Sequence, residues 1–256
     1  MHSFTLFYLI FSCALGASLG FLGGLFGIGG GIIAIPLLVL FFGMEQSLAQ
    51  GTVLVMMVPN LMIAWWRYSQ KHPIPFKTAF QIGLIASFVT FLVAQVATHL
   101  DQQISHIIFS IFLLLVAVSM LLQKRDVQTQ DRKSRINPRL MPLVGIVGGG
   151  TMGLLGVGGG LVSTPIFAKL FGQKQASAQG LSLALVTPSS LIALLTYGHA
   201  HLIDWSMGLP LAFSGLFTVS AGVTLAHRLP EHQMRVAFAM MILLTASWLL
   251  VRPYVM

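Results

Sequence analysis

The sequence predicts an all-α polytopic membrane protein built from two inverted-topology repeats. Charged residues make up only 8% of the 256 residues, whereas soluble proteins contain roughly 25%. Hydrophobic residues make up 56%, and the mean hydropathy is +0.87. A glycine-rich motif also occurs twice, with Gly29 and Gly158 at equivalent places 129 positions apart. A soluble globule could not cover its surface with so few charges.

The excess of positive charge does not indicate a nucleic-acid partner. The net charge is +8 and the pI is near 10.2, but a nucleic-acid-binding protein needs a basic face that follows the phosphates. Here most cations lie in short gaps between apolar runs, which is the distribution that the positive-inside rule produces. We therefore expect a lipid bilayer, and no nucleic acid, as the partner. The single Cys13 excludes a disulfide scaffold.

Ten apolar stretches can be assigned in chain order. They cover residues 4–26, 31–43, 47–68, 77–99, 104–122, 140–155, 160–171, 176–198, 206–226 and 236–251. Stretches of about 20 residues are long enough to span the hydrocarbon core. The stretches 31–43 and 160–171 are too short, and each follows a glycine cluster at which a helix should unwind. The prediction is about eight transmembrane helices if each glycine-broken hairpin counts once, or ten segments if both arms count.

The first stretch is expected to be retained rather than removed as a signal peptide. Met1 to Ser3 contains no Lys or Arg, so the charged start of a signal peptide is missing. The apolar run up to Phe26 is also long enough to span a membrane. Residues 4–26 are therefore predicted to be the first membrane segment.

The second half of the chain repeats the first. At an offset of 129, the matches include Pro36 with Pro165 and Gln46 with Gln175. Apolar bias explains some Leu and Ala matches, but it does not explain paired Gln, Pro, Tyr and His. We therefore predict a first membrane repeat over 1–122, a cytoplasmic basic linker over 123–139 and a second repeat over 140–256.

The cations also predict the orientation of the chain. The basic gaps 67–77, 123–139 and 227–235 are expected in the cytoplasm. The gaps that contain Glu45, Asp101 and Asp204 are expected outside, which places both termini outside as well. Corresponding gaps then lie on opposite sides of the membrane, as in secondary transporters built from inverted repeats.

The glycine clusters are the first candidate binding elements. A helix that begins at Ile32, and another at Leu161, would direct its N-terminal N–H groups and dipole back at its cluster, where they favour an anion. Two such loops near the membrane midplane would form one symmetrical cradle. The predicted backbone donors are Gly27, Gly29, Gly30, Gly31, Gly156, Gly158, Gly159 and Gly160. The alternative is close helix packing, which suits Gly20 and Gly149, whereas the triplets favour an unwound loop.

Polar side chains inside the apolar stretches are the second candidate. Gln50 and Gln179 occupy matched positions, and amides can donate hydrogen bonds to an anion without adding charge. Thr52, Asn60 and Ser189 extend the polar stripe. The alternative is hydrogen bonding between helices, which suits the hydroxyl groups better than the amides.

The charges and motifs favour transport over catalysis. No Asp or Glu lies deep in any stretch, which favours an anionic substrate and leaves the coupling ion open. We find no nucleophile–base pair, no phosphate-binding loop that precedes a helix in the required context, and no metal or cofactor motif. The sequence therefore predicts no enzyme and no cofactor.

The chain contains the motifs GGLFGIGGGIIAIPLL at 23–38, GLLGVGGGLVSTPIF at 153–167, the Ala-Gln-Gly turns at 49–51 and 178–180, and Tyr197-Gly198 followed by Ile203-Asp204-Trp205. These motifs resemble those of the sulfite exporter TauE/SafE family of membrane permeases. The resemblance covers essentially the whole chain. It implies a bacterial inner-membrane permease for small sulfur-containing anions such as sulfite, thiosulfate, sulfonates or sulfoacetate.

Three functions stay open at this point. The leading hypothesis is a carrier in which two inverted halves rock around a midplane anion site. The same residues could serve an anion channel, or the chain could be a membrane-embedded binding or assembly subunit without transport of its own. A homo-oligomer is compatible with each function.

Overall fold

In the computed structural model, the residues described form helices joined by short turns and loops, with no β-strand among them, which confirms the predicted all-α class. These are residues 2–26, 30–71, 75–122, 136–173, 175–226 and 231–251. The α-helices within them are α1 (His2–Phe26), α2 (Gly31–Phe42), α3 (Gln46–Lys71), α4 (Phe76–Ala97), α5 (Gln102–Leu122), α6 (Val144–Leu155), α7 (Gly159–Lys169), α8 (Gln175–His199), α9 (Trp205–Ala226) and α10 (Glu231–Val251).

Each predicted apolar stretch corresponds to one helix. The short arms α2 and α7 begin at Gly31 and Gly159, slightly before the predicted starts at Ile32 and Leu161. Helix α10 begins at Glu231, five residues before the predicted start at 236. Another difference lies before α6, where Pro138–Leu143 forms a 3₁₀ helix. Pro142 lacks an N–H and cannot continue an α-helical ladder from that segment, so α6 starts later than the hydropathy predicts. Most of the predicted linker 123–139 lies outside the described residues.

The Ala-Gln-Gly motifs are not turns, which corrects the sequence interpretation. Residues 49–51 lie inside α3, and residues 178–180 lie inside α8. Glycine usually weakens a helix interior by about 1 kcal/mol. A close contact explains the glycine at position 51, because an added Cβ would collide with the carbonyl oxygen of Leu202. The glycine therefore serves close packing against the segment that connects α8 to α9, and not chain reversal.

Four described helices are long and apolar enough to cross a membrane. They include Gln46–Trp66, Phe76–Ala97, Gln102–Leu122 and Ser177–His199. Large apolar side chains remain exposed on these and other helices, for example Phe76 at 81% and Phe217 at 71%. Such surfaces suit contact with lipid and not with water. The chain is a multi-pass membrane protein.

The helices form two compact units that cut across the predicted repeats. Unit 1 comprises Met1–Met57, Leu100–Asp126 and Leu202–Met256, and unit 2 comprises Val58–His99 and Val127–His201. In unit 1 the main helix pair is α1 with α9, and in unit 2 it is α4 with α6. Each pair therefore joins a helix from the first half of the sequence to one from the second. The repeat boundaries themselves stay a prediction.

The close contacts of glycines in these two helix pairs occur at positions related by the offset of 129. An added Cβ at Gly20 would overlap the main chain of Gly215, and one at Gly149 would overlap the main chain of Ala86. Position 20 corresponds to 149, and position 86 corresponds to 215. One turn earlier the same relation joins Gly16 with Leu211 and Gly145 with Ile82. Gly20 and Gly149 thus lie in continuous helices and serve close packing, as the sequence predicted.

Candidate functional site

Left-handed glycines interrupt the helices at both glycine clusters. Gly30 directly precedes α2 with φ 78° and ψ −12°, and Gly158 directly precedes α7 with φ 90° and ψ −11°. Gly156 ends α6 with φ 67°. Residues with a Cβ rarely adopt this conformation, so the sequence needs glycine at these positions. The chain leaves the helix at both clusters as predicted. Gly27 and Gly29 lie outside the described residues.

The middle glycine of each triplet, Gly30 or Gly159, lies close to the helix that precedes it. An added Cβ at Gly30 would lie 2.9 Å from the carbonyl oxygen of Leu19, and one at Gly159 would lie 2.8 Å from that of Gly148. These two approaches are again related by the offset of 129. Gly160 differs, because its nearest neighbour would be Val186 Cγ2 at 3.6 Å. Close packing therefore contributes to the glycine clusters together with unwinding.

The starts of α2 and α7 present backbone donors. The N–H of Ala34 donates to the carbonyl oxygen of Gly30 at 3.0 Å, and the N–H of Val162 donates to that of Gly158 at 3.2 Å. In α7 the N–H groups of Gly159, Gly160 and Leu161 precede the first full helical bond and have no acceptor one turn earlier in the helix. In α2 the N–H of Ile33 already donates to the carbonyl oxygen of Gly30 at 3.2 Å, so the N–H groups of Gly31 and Ile32 are the ones that precede the first helical bond. Free N–H groups and the positive end of the helix dipole suit a bound anion.

A buried chain of hydroxyl groups joins the first turn of α7 to α8. Ser182 Oγ lies 2.9 Å from Ser163 Oγ and 2.8 Å from Thr164 Oγ1, and Thr164 Oγ1 lies 2.7 Å from the carbonyl oxygen of Gly160. Each hydroxyl carries one proton. All three are satisfied if Ser163 donates to Ser182, Ser182 to Thr164 and Thr164 to Gly160. The network fixes the turn that contains the glycine donors of unit 2.

The sequence analysis did not single out this hydroxyl network. Its members have apolar counterparts in the first half of the chain, namely Ala34, Ile35 and Val53. A search for residues shared by both repeats therefore could not find it. The available signal was the pair Ser163-Thr164, which begins three residues after the glycine triplet.

Tyr197 anchors the end of α6. Its side chain is fully buried, and its hydroxyl donates to the carbonyl oxygen of Gly153 at 3.3 Å. Gly153 lies three residues before the left-handed Gly156. The tyrosine of the Tyr197-Gly198 motif therefore holds the helix end from which the glycine loop departs.

The predicted amides are placed as follows. Gln50 is 1% exposed in unit 1, Asn60 is 4% exposed in unit 2, and Gln179 is half-buried in unit 2. Among the described residues, the Oδ1 atom of Asn60 has no hydrogen-bond partner. A buried amide oxygen without a donor is unfavourable, so a water molecule or a ligand is expected there. The convergence of these residues with the glycine loops on one site stays a prediction.

The predicted hydroxyl residues have structural partners. Thr52 Oγ1 donates to the carbonyl oxygen of Leu48 at 2.7 Å and accepts from the backbone N–H of Asp204 at 3.0 Å. Ser189 Oγ donates to the carbonyl oxygen of Leu185 at 2.7 Å. Thr52 thus links α3 to the start of α9, which agrees with hydrogen bonding between helices as its role.

The candidate donors are electrically neutral. They consist of backbone N–H groups and of amide and hydroxyl side chains, and the sequence places no Asp or Glu in the four long spans. Among the residues that the structure describes, no group of three or more His, Cys, Asp or Glu could hold a metal ion. Neutral donors that point to an uncharged interior favour an anion over a cation.

Comparison with known proteins identifies the family of the chain. The family described as sulfite exporter TauE/SafE matches residues 12–249. A "probable membrane transporter protein" of Methanocaldococcus jannaschii is 32% identical over 193 residues, which is 73% of this chain and 71% of that protein. Proteins with the same description from Xylella fastidiosa (25% identity, 98% of each chain) and Haemophilus influenzae (26% identity, 94% of this chain and 98% of the other) are also similar. No solved structure matches the chain. The chain belongs to the sulfite exporter TauE/SafE family of membrane transporters.

Proposed function

We propose that this protein is a permease of the bacterial inner membrane that moves small sulfur-containing anions, such as sulfite, thiosulfate or organosulfonates, by alternating access. The observation that carries the proposal is that a left-handed glycine directly precedes each short helix, Gly30 before α2 and Gly158 before α7. Helices that begin inside a membrane protein direct unpaired N–H groups at anionic substrates in transporters with inverted repeats. The protein performs transport without catalysis.

The electrostatics support an anion as the substrate. Each helix N-terminus favours a negative charge by about 0.3–1 kcal/mol when exposed and by up to about 2 kcal/mol when partly buried. Neutral amides add donors without a counter-charge, so the anion keeps its charge and can be released. A carrier needs this balance, because a substrate held by a buried cation would leave slowly.

Transport by proteoliposomes tests the proposal. We expect saturable counterflow of labelled sulfite or thiosulfate across vesicles that contain only this protein. Ohmic current without counterflow would instead indicate a channel, and no movement of any anion would indicate a binding or assembly subunit.

The amides supply the residue-level test. If Gln50 and Gln179 donate to the anion, Gln50→Leu and Gln179→Leu should each weaken binding while the melting temperature stays nearly unchanged. A hydrogen bond to a charged group contributes about 1.5–3 kcal/mol, so the affinity should fall by about ten- to a hundredfold. Lower stability with unchanged affinity would assign these residues to helix packing.

The orientation follows from the charges. We propose that both termini are extracytoplasmic and that the basic gaps face the cytoplasm. In a Cys13→Ser background, a cysteine at Arg132 should react with an impermeant label only from the cytoplasm, and one at the exposed His99 only from outside. Labelling of both positions from the same side would refute this topology.

A further inference from the structure

Gln46 is a buried amide that the function described so far does not use. It is the first residue of α3 and is completely buried. Among the described residues, neither its Oε1 nor its Nε2 atom has a hydrogen-bond partner. Buried amides are nearly always paired, and two unpaired atoms on one side chain are unfavourable. Such a side chain calls for a bound group that pairs with both atoms.

The position of Gln46 places its amide at a helix start. The first full helical bond of α3 runs from the N–H of Ala49 to the carbonyl oxygen of Glu45 at 2.9 Å. The N–H groups of Ser47 and Leu48 therefore have no acceptor one turn earlier in the helix. Gln46 therefore stands in the same first turn as these N–H groups. Gln50, also buried, follows one turn later on the same face.

The backbone at this helix start is already held by another residue. With its amide oriented to satisfy both neighbours, Gln102 donates to Glu45 Oε2 at 3.1 Å and accepts from the backbone N–H of Gln46 at 3.2 Å. Gln102 thus links α5 to the start of α3. The Gln46 side chain does not cap the helix, because among the described residues neither of its polar atoms has a partner.

The chemistry of the amide defines its ligand. Nε2 donates and Oε1 accepts, so a matching ligand needs both an acceptor oxygen and an N–H or O–H donor. An anion without such a donor would pair with Nε2 only and would leave Oε1 unpaired beside a negative charge. The carboxylate of Glu45, one residue away, further disfavours a second negative charge on the ligand.

We propose that Gln46 and the start of α3 bind a small singly charged oxyanion that carries its own N–H or O–H donor, for example hydrogen sulfite. This inference rests on the proposed anion transport and refines its selectivity. It predicts that the protein discriminates between anions of equal charge and shape by the presence of one polar hydrogen. A site that pairs with such a hydrogen rejects analogues that lack it, because its own polar atom is then left unpaired.

Two anions with a sulfonyl group distinguish a site that pairs with a polar hydrogen of the ligand from one that does not. Sulfamate and methanesulfonate have the same charge and nearly the same shape, but only sulfamate offers N–H donors. Binding is measured from the ligand-dependent rise in melting temperature of the purified protein. We expect sulfamate to bind at least about tenfold more tightly than methanesulfonate.

The matched variants are Gln46→Met, which removes both polar atoms at similar side-chain length, and Gln103→Met at an exposed glutamine of α5. Gln46→Met should lose the preference for sulfamate, and its unliganded melting temperature should not fall, because an unpaired buried amide has been removed. Gln103→Met should keep the preference.

The results that would overturn the inference are distinct from those that would overturn transport. Equal binding of the two anions, or an unchanged preference in Gln46→Met, means that Gln46 pairs with water and does not select ligands. Sulfite counterflow without any binding difference would overturn this inference and leave the transport proposal intact. Absence of both counterflow and anion binding would overturn both proposals.

Discussion

The neighbouring glycines Gly159 and Gly160 provide a matched pair of alanine substitutions at the start of α7. An added Cβ at Gly159 would lie 2.8 Å from the carbonyl oxygen of Gly148, whereas one at Gly160 would have Val186 Cγ2 as its nearest neighbour at 3.6 Å. The first contact involves main-chain atoms, which cannot rotate away. The second contact is an ordinary van der Waals distance. The same mutation should therefore have opposite effects at adjacent positions.

The magnitudes follow from these distances. Gly159→Ala requires α7 to move away from α6 by about 0.6 Å to restore a 3.4 Å contact. Overpacking of this kind costs about 1–3 kcal/mol, which corresponds to a fall in melting temperature of about 2–12 °C for a chain of this size. Gly160→Ala makes an ordinary contact with Val186 Cγ2 and gains up to about 1 kcal/mol of helix propensity. Its melting temperature should be unchanged or higher.

Thermal unfolding of both variants at matched expression, with anion binding measured alongside, tests this reasoning. Gly160→Ala keeps its backbone N–H and should bind anions as the parent protein does. Equal destabilisation of the two variants, or a stable Gly159→Ala protein, would mean that α7 does not approach Gly148 as closely as the structure indicates.

Three further substitutions test other parts of the structure. Gly158→Ala places a Cβ at φ 90°, which should lower the free energy of unfolding by about 1–2 kcal/mol and abolish transport. Thermal unfolding and a transport assay measure the two effects, and normal transport would refute the role of the left-handed loop. Thr52→Val removes the acceptor of the Asp204 N–H and should destabilise the protein by about 1–3 kcal/mol with unchanged anion affinity, so a selective loss of affinity would return Thr52 to the binding site. Ser182→Ala interrupts the hydroxyl chain and should lower the melting temperature, whereas the serine at Ser189, bonded only within its own helix, should tolerate alanine with a smaller change.

The helix positions could be predicted from the sequence because hydropathy and glycine act locally. An apolar run of given length forms a helix in a membrane whatever it packs against, since its backbone groups have no other partner. The triplets likewise indicate unwinding, which the left-handed Gly30 and Gly158 confirm. The Ala-Gln-Gly motifs misled because a glycine near a polar residue is typical of turns. The structural reason for Gly51, the main chain of Leu202 against it, lies about 150 residues away.

The partners of each helix could not be predicted. The small residues of α1 indicate close packing, but they do not reveal that the partner is α9 and not a helix of the same half. The buried amide of Gln46 shows the same limit, since its match with Gln175 was visible and its lack of a hydrogen-bond partner was not. Which helices pair depends on how well the surfaces of all the helices fit one another. The sequence shows the residues of each helix separately and not this fit.

The pairing of α1 with α9 has a consequence for biosynthesis. Helix α1 ends at Phe26, and α9 is complete only at Ala226. At about 5–20 residues per second, the ribosome needs roughly 10–40 s to make the intervening chain. During that time the glycine face of α1 enters the bilayer without the helix that covers it, while α4 and α6 can already pair. In a nascent chain stalled before residue 205, the paired helices α4 and α6 should therefore resist proteolysis better than α1. Insertion factors that shield small-residue helices are expected to contact α1 longest.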